Sequence, residues 1–513
     1  MIFMQEEYNS IHIYEIISKS ELELKEDIIN FGEEAWPLTR NILWVTLTNL
    51  DIESTNDVLL STNSFKFKVF NIKKLKKISI KFFKKIFYIF SIKRFFKESE
   101  IIFFSRSVYL EKLDSGKLFD RVIDPLFFTA KINNSASKFY IDNPVLKKLC
   151  FFKALNYFPN SFIKNQKPYQ SEYKELENLS IFFLKSFIKK NNFEKIENFL
   201  INEIKKGVKN YIISKNKSEI FLKKFHKLKK IFLPSWYFPD MMGIIASAKK
   251  LGIETIEVQH GKQGEFQAAY SGWRFFPNNG YLNMPNKFWC WGNKSIKNIL
   301  RSSPDRKFHQ PFLGGYAWPI WYRSFFAKKY YKELEKNLEI RVLFTMQGKQ
   351  GATNIEPFPD FLLDLVKYYE NLVRKTNRKF FELKIRLHPN ELSQNLKYLK
   401  ERLGNTFDSE VISISSKLNS CIYEDLNWAN HHITFYSSCA LDALIFGVKS
   451  AVYGHEGFKI YQEEINNKSI TFLNENSSSE IIKWIKTKVR GPASKYKDLA
   501  TIIFPDPKFL NPS

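Results

Sequence analysis

At 513 residues the chain is too long for a single hydrophobic core, so two or more domains are expected. A hydrophobic content of 44% excludes a disordered polymer, while a net charge of +26 and a pI near 9.5 call for an anionic partner: nucleic acid, a phospholipid surface or a nucleotide-linked substrate. Four scattered cysteines (Cys150, Cys290, Cys421, Cys439), with no CxxC pair, exclude a disulfide framework or zinc site and point to a reducing cytoplasm.

The first residues, MIFMQEEYNS, have no basic or apolar signal region, so no leader is expected. No apolar run approaches the ~20 residues that span a bilayer. Residues 1–60 set three basic residues against twelve carboxylates, and Trp36-Pro37-Leu38 with Ile42-Leu43-Trp44-Val45 reads as an ordered cap. Residues 65–97 then hold twelve Lys/Arg and no acid, interleaved with Phe, Ile and Leu. On a helix this separates apolar and cationic faces, the pattern of an interfacial membrane helix; the plainer reading is a solvated lysine face. Nucleic acid is not the expected partner, because no recognised motif accompanies the charge.

From residue 100 the pattern is α/β. Ile101-Ile102-Phe103-Phe104 reads as a buried strand, Asp120 to Pro125 as a loop, 170–230 as Lys-rich helices, and Met241 to Lys250 as a helix of small and apolar residues. Ile253 to Val258 then forms a strand that delivers Gln259-His260-Gly261 at its carboxyl end, where open α/β sheets build ligand crevices. His260 suits a general base; Glu257 and Glu265 are rival carboxylates, and a purely capping turn is the bland alternative. Later strand ends are Phe288 to Gly292 and Gln310 to Gly315. A charged connector (325–339) leads to a second βα series. There Ile340 to Thr345 runs into Gln347-Gly348-Lys349, Leu383 to Leu387 into His388-Pro389-Asn390-Glu391, and His432 to Phe435 into Ser437-Ser438 and a helix carrying Asp442. Free N–H groups at such a helix start attract phosphate, although serine pairs also cap helices that bind nothing. Proline after His388 ends the strand and fixes the imidazole's direction. The Gln347 loop fits neither a Walker A nor a GxGxxG spacing.

The order Gln259-His260-Gly261, Tyr270, Pro285…Trp291-Gly292, Gly314-Gly315, His388-Pro389, Ser437-Ser438 and Asp442 resembles GT-B glycosyltransferases of bacterial capsule and surface polysaccharide synthesis, including those using CMP-linked Kdo or sialic acid. The likeness spans about residues 100–475. It departs at Asp442, where the family carries Glu, and in lacking an acidic-acidic-Gly motif. It implies two Rossmann-like doubly wound domains facing a cleft behind an N-terminal extension, and a donor phosphate site at His388, Ser437 and Ser438.

The expected organisation is an acidic extension (1–64), a basic amphipathic segment (65–99), an acceptor domain (100–325), a nucleotide-sugar domain (340–490) and a tail (491–513). The expected activity is transfer of a sugar from a nucleotide-sugar, such as a CMP-linked one, to a growing lipid-linked glycan, without metal or other cofactor. His260, His388 and Glu265 are the catalytic candidates. Gln259, Gly261, Gln347, Gly348, Lys349, Glu391, Ser437, Ser438 and Asp442 are the substrate-binding ones. The expected partners are the donor, a glycan or glycolipid acceptor and an anionic membrane at its inner face. A CDP-polyol phosphotransferase of the same fold and a non-catalytic scaffold of capsule assembly are the alternatives.

Overall fold

A computed structural model describes residues 10–48, 99–112, 116–133, 136–142, 155–156, 170–261, 263–319, 322, 340–347, 358–377, 381–388, 392–417, 419–474 and 478–486. The basic segment 65–97, the connector 325–339, Gly348, Lys349, Glu391 and the tail 491–513 lie outside them.

Two parallel sheets organise the chain. The first holds β1 (Ile101–Ser105), β4 (Ala136–Tyr140), β5 (Leu155–Asn156), β6 (Lys230–Leu233), β7 (Glu254–Val258), β8 (Lys287–Cys290) and β9 (Gln310–Leu313), in the order β5-β4-β1-β6-β7-β8-β9. A small antiparallel hairpin, β2 (Leu110–Lys112) and β3 (Leu118–Asp120), stands beside it. The second sheet holds β10 (Ile340–Thr345), β11 (Phe381–Arg386), β12 (Ile412–Ser415), β13 (His431–Thr434), β14 (Lys449–Val452) and β15 (Ile470–Phe472), in the order β12-β11-β10-β13-β14-β15. Runs such as Ile101-Ile102-Phe103-Phe104 are buried throughout, as expected of strands covered by helices on both faces. The two-domain, doubly wound α/β class read from the sequence is what the chain adopts.

In each sheet the chain works outward one way, returns to the centre and works outward the other way. The order therefore reverses between β1 and β6 in the first sheet, and between β10 and β13 in the second. Such reversals splay the following loops apart and open a crevice at the carboxyl ends of the strands.

Helices Ser10–Glu23 and Lys25–Leu47 share the first domain's core, where Ile17, Ile28, Trp36 and Leu43 pack in one cluster with Ile231 and Leu233 of β6. A fully buried pair, Arg40 to Glu21 at 2.6 Å, ties them down, and Arg40 also donates to the Ser271 carbonyl at 2.8 Å. The stretch from Asp120 to Pro125, read as a loop, is a turn at 121–123 between the end of β3 and helix Asp124–Asn133, which takes Pro125 in its first turn, where a missing N–H costs nothing.

Candidate functional site

β7 ends at Val258, and its next residues are held by the neighbouring strand end. Gln259 is buried with its amide occupied: Oε1 accepts from the Trp291 N–H (2.6 Å), and Nε2 donates to the Gly261 carbonyl (2.8 Å). Gln259 thus fixes the turn that presents His260. Behind β9, Gly314 lies so close to the Trp289 indole that a Cβ would meet the ring at 2.2 Å, and Trp289 Nε1 donates to the Gly315 carbonyl (2.8 Å). Glycine is required there to bring the two strand ends together.

The His260 imidazole stands between a carboxylate and hydroxyls. Its Nδ1 is 3.4 Å from Oε1 of Glu257, a fully buried side chain that also accepts from the Tyr270 hydroxyl at 2.7 Å and from Gln263 Nε2 at 3.4 Å. The Nδ1–Glu257 contact has ion-pair distance without hydrogen-bond alignment. On the other side Nε2 meets Ser235 Oγ (3.2 Å) and Tyr237 Oη (3.4 Å), and Ser235 also bonds the Tyr109 hydroxyl. Ser235 has φ +54°, a left-handed conformation uncommon for a residue with a Cβ, held at the point where the strand order reverses. Burial, with Glu257 nearby, keeps the Tyr237 phenol protonated by pushing its pKa up to about 12. Glu265 sits elsewhere on the loop, paired with Arg301 at 2.6 Å.

In the second domain the strand ends beside the reversal carry Gln347 behind β10, His388 behind β11, and Ser437-Ser438 behind β13. Ser437 and Ser438 are half-buried; Ser437 Oγ accepts from the Cys439 N–H (3.3 Å), whereas Ser438 makes no capping bond. The helix they open, Cys439–Ile445, is only two turns long. Burial, helped by the Arg121 and Lys417 cations, pulls the His388 imidazole down to about 4, leaving it uncharged at neutral pH. Asp442 is buried, and its Oδ1 accepts from Tyr316 (2.6 Å) and Tyr423 (3.1 Å). Burial raises it to about 6 against the pull of those phenols and Arg121. Its visible engagement is the interdomain core, where Trp318 and Tyr316 of the first domain's end meet Tyr423 and Ile422. His431 and His432 lie within β13; His432 is buried between Thr345 Oγ1 and Ser450 Oγ, both at 2.9 Å.

The two halves meet at Arg121, which sequence reading left in a loop. With Gln259, His260 and Trp291 it lines a narrow recess of about 20 Å³, room for roughly one water molecule. Its charge acts on His388, Cys439 and Asp442 of the other domain. Burial opposes that charge most strongly, but Glu111 together with Tyr316, Cys439 and Asp442 outweighs it, so the guanidinium stays protonated. Glu111 is itself a bridge: it lies 3.5 Å from Arg121, 3.5 Å from Arg386 at the end of β11, and accepts the Ile422 N–H at 2.8 Å. No motif spacing announces Arg121 or Glu111, because their partners in the other domain are hundreds of residues away.

No family model matches the chain, and no curated relative matches it. Solved structures resemble it in outline. UDP-GlcNAc 2-epimerase from Methanocaldococcus jannaschii is 12% identical over 79% of this chain and 98% of that one, with a TM-score of 0.42. The wall teichoic acid polymerase TagF is 11% identical over 84% and 94%, with a TM-score of 0.39. A glycosyltransferase from Rickettsia africae is 12% identical over 79% and 94%, with a TM-score of 0.41. These likenesses carry no activity to this chain. What it does has to come from its own side chains.

Proposed function

We propose that the chain is a GT-B glycosyltransferase that moves a sugar from a nucleotide-sugar donor to a glycan or glycolipid acceptor. The observation that carries this reading is the shared cation. Arg121 lines the recess of a carboxylate-backed imidazole in one domain, and its field reaches an uncharged imidazole at a strand end of the other. An anion held there would touch both domains.

The roles follow from charge. The acceptor hydroxyl gives its proton to Nε2 of His260 while its oxygen bonds the anomeric carbon. The bond from that carbon to the donor's phosphate oxygen breaks, and its electron pair leaves with the phosphate. Arg121, the Ser437 and Ser438 hydroxyls and an N–H of neutral His388 stabilise the departing charge, as preorganised donors do in a water-poor site. Gln347, Gly348, Lys349 and Glu391 remain candidates for the nucleotide and its sugar. The basic segment 65–97 is assigned to the membrane surface on which a lipid-linked acceptor would lie.

Thermal-shift titration with CMP, CDP, UDP and GDP tests the donor half, since a ligand that prefers the folded state raises its melting point. One nucleotide should stabilise the protein, and Ser437→Ala with Ser438→Ala should reduce that shift while leaving the unliganded melting point in place. His260→Ala should cost ~10²-fold or more in transfer with the nucleotide shift retained. If none of the four nucleotides moves the melting point, the reading fails.

A further inference from the structure

His260's own recess is water-sized, but a larger one opens beside it. It lies where the first sheet's strand order reverses, between Arg106 behind β1 and the Phe238–Asp240 turn behind β6. Its volume of about 420 Å³ falls within the ~300–1,000 Å³ typical of small-ligand sites. The opposite wall is one face of helix Glu197–Leu222, with Asn210, Ser214 and Lys217 at helical spacing. That helix sits close to helix Pro239–Lys250 because position 243 is glycine: a Cβ there would meet the Tyr211 carbonyl at 2.7 Å.

The chemistry of the walls is specific. Two cations, Arg106 and Lys217, face one carboxylate, Asp240, so the recess is net positive. Arg106 pairs with Asp240 and lies over the Phe238 ring at 4.6 Å, while its Nε is buried with no acceptor among the described residues. The Phe238 ring is thus engaged by Arg106 on one side and by Tyr237 (4.8 Å) on another, which disfavours stacking of a nucleotide base. Asn210 and Asp240 supply a donor and acceptors for hydroxyls; Ile213 and Ile244 supply an apolar patch for the C–H face of a ring.

We propose that this recess binds an anionic saccharide, a sugar ring carrying a carboxylate or phosphate, with Arg106 and Lys217 on the anion and Asp240 and Asn210 on ring hydroxyls. Its role as acceptor rests on the transferase reading: the Ser235–Asp240 turn is the partition between the recesses, and Tyr237 turns its hydroxyl to His260 and its ring to Phe238. The bound unit is then the acceptor residue next to the one that reacts.

Ligand-observed NMR titration of the full chain with a galacturonic acid trisaccharide, with maltotriose and with glucose 6-phosphate tests this without any donor. The acidic trisaccharide or the sugar phosphate should bind roughly tenfold more tightly than maltotriose, and whichever binds identifies the anion. Lys217→Ala should weaken that binding roughly tenfold. Asn210→Trp, on an exposed helix position that overhangs the recess, should block it with the melting point unchanged. Equal binding of charged and neutral sugars, or binding that survives both variants, overturns the proposal. A CMP, CDP, UDP and GDP titration of the same samples separates the two failures: a nucleotide that binds without the sugar leaves the transferase reading standing, and a sugar that binds without any nucleotide leaves the recess standing.

Discussion

At His260 the imidazole has two unlike neighbours, a buried carboxylate at Nδ1 and hydroxyls at Nε2. That asymmetry selects the tautomer with its proton toward Glu257, so Nε2 is left as the acceptor. The same carboxylate stabilises the imidazolium that forms when Nε2 takes a proton, as the buried acid does in serine-type triads. Glu257 touches no substrate in this scheme; it is a positioning residue, held by Tyr270 and Gln263. Glu257→Gln keeps the shape and removes the charge. Transfer should fall by about 10²-fold at neutral pH, with the donor KM unmoved. A variant that keeps the parent kcat, or that loses activity only through a raised donor KM, would mean that His260 works without Glu257.

At the scale of elements, the legible parts were the long ones. Strands β1, β7, β10, β11 and β13 are apolar, β-branched or aromatic runs that stop at Gly, Pro, His or Ser, and their chemistry sits at the carboxyl ends because parallel strands leave it nowhere else. The hairpin β2–β3 and the helix Ile422–Trp428 are not legible: three-residue strands carry no periodicity, and the short helix lacks the strand end and serine pair that announce Cys439–Ile445. Yet these short elements join the domains. Glu111 of β2 accepts the first N–H of that helix across 311 residues of sequence, placing a carboxylate on the helix's positive end. It also separates two guanidiniums, Arg121 and Arg386; among the described residues Arg386 has a second carboxylate at ion-pair distance, Asp425 at 2.6 Å. Glu111→Ala should therefore cost about 3 kcal/mol, the penalty of breaking a buried ionic cluster from one side. Glu111→Gln, which keeps an oxygen for the Ile422 amide, should lose less. Chemical denaturation of the three proteins orders them; an alanine variant within about 0.5 kcal/mol of the parent, the ordinary range for surface changes, would remove Glu111 from the interface account.

The whole molecule's charge is unevenly dealt. Residues 1–60 carry a net −9 (three basic, twelve acidic), and residues 65–97 carry +12 of the total +26. The acidic head's described helices are part of the first domain's core, which leaves the basic stretch, outside the described residues, as the densest cationic block in the sequence. No described helix is long and apolar enough to cross a membrane. Surface attachment through 65–97 is the proposal that its separated apolar and cationic residues support. At about 1 kcal/mol per basic residue near an anionic leaflet, even half of those twelve charges would localise the protein firmly. Deleting 65–97 lowers the net charge from +26 to +14. Co-sedimentation with vesicles rich in phosphatidylglycerol should then drop by more than tenfold, while the small affinity for phosphatidylcholine vesicles should hardly change. A second variant, with six of the lysines changed to glutamine in the intact chain, should give an intermediate loss that added salt mimics, because exposed charges are screened over about 8 Å at physiological ionic strength. Both variants should keep the nucleotide-induced thermal shift, since the proposed donor residues follow β10, β11 and β13 and none lies within 65–97. If the shortened protein still sediments with the anionic vesicles, the remaining +14 does the binding and the segment has another task.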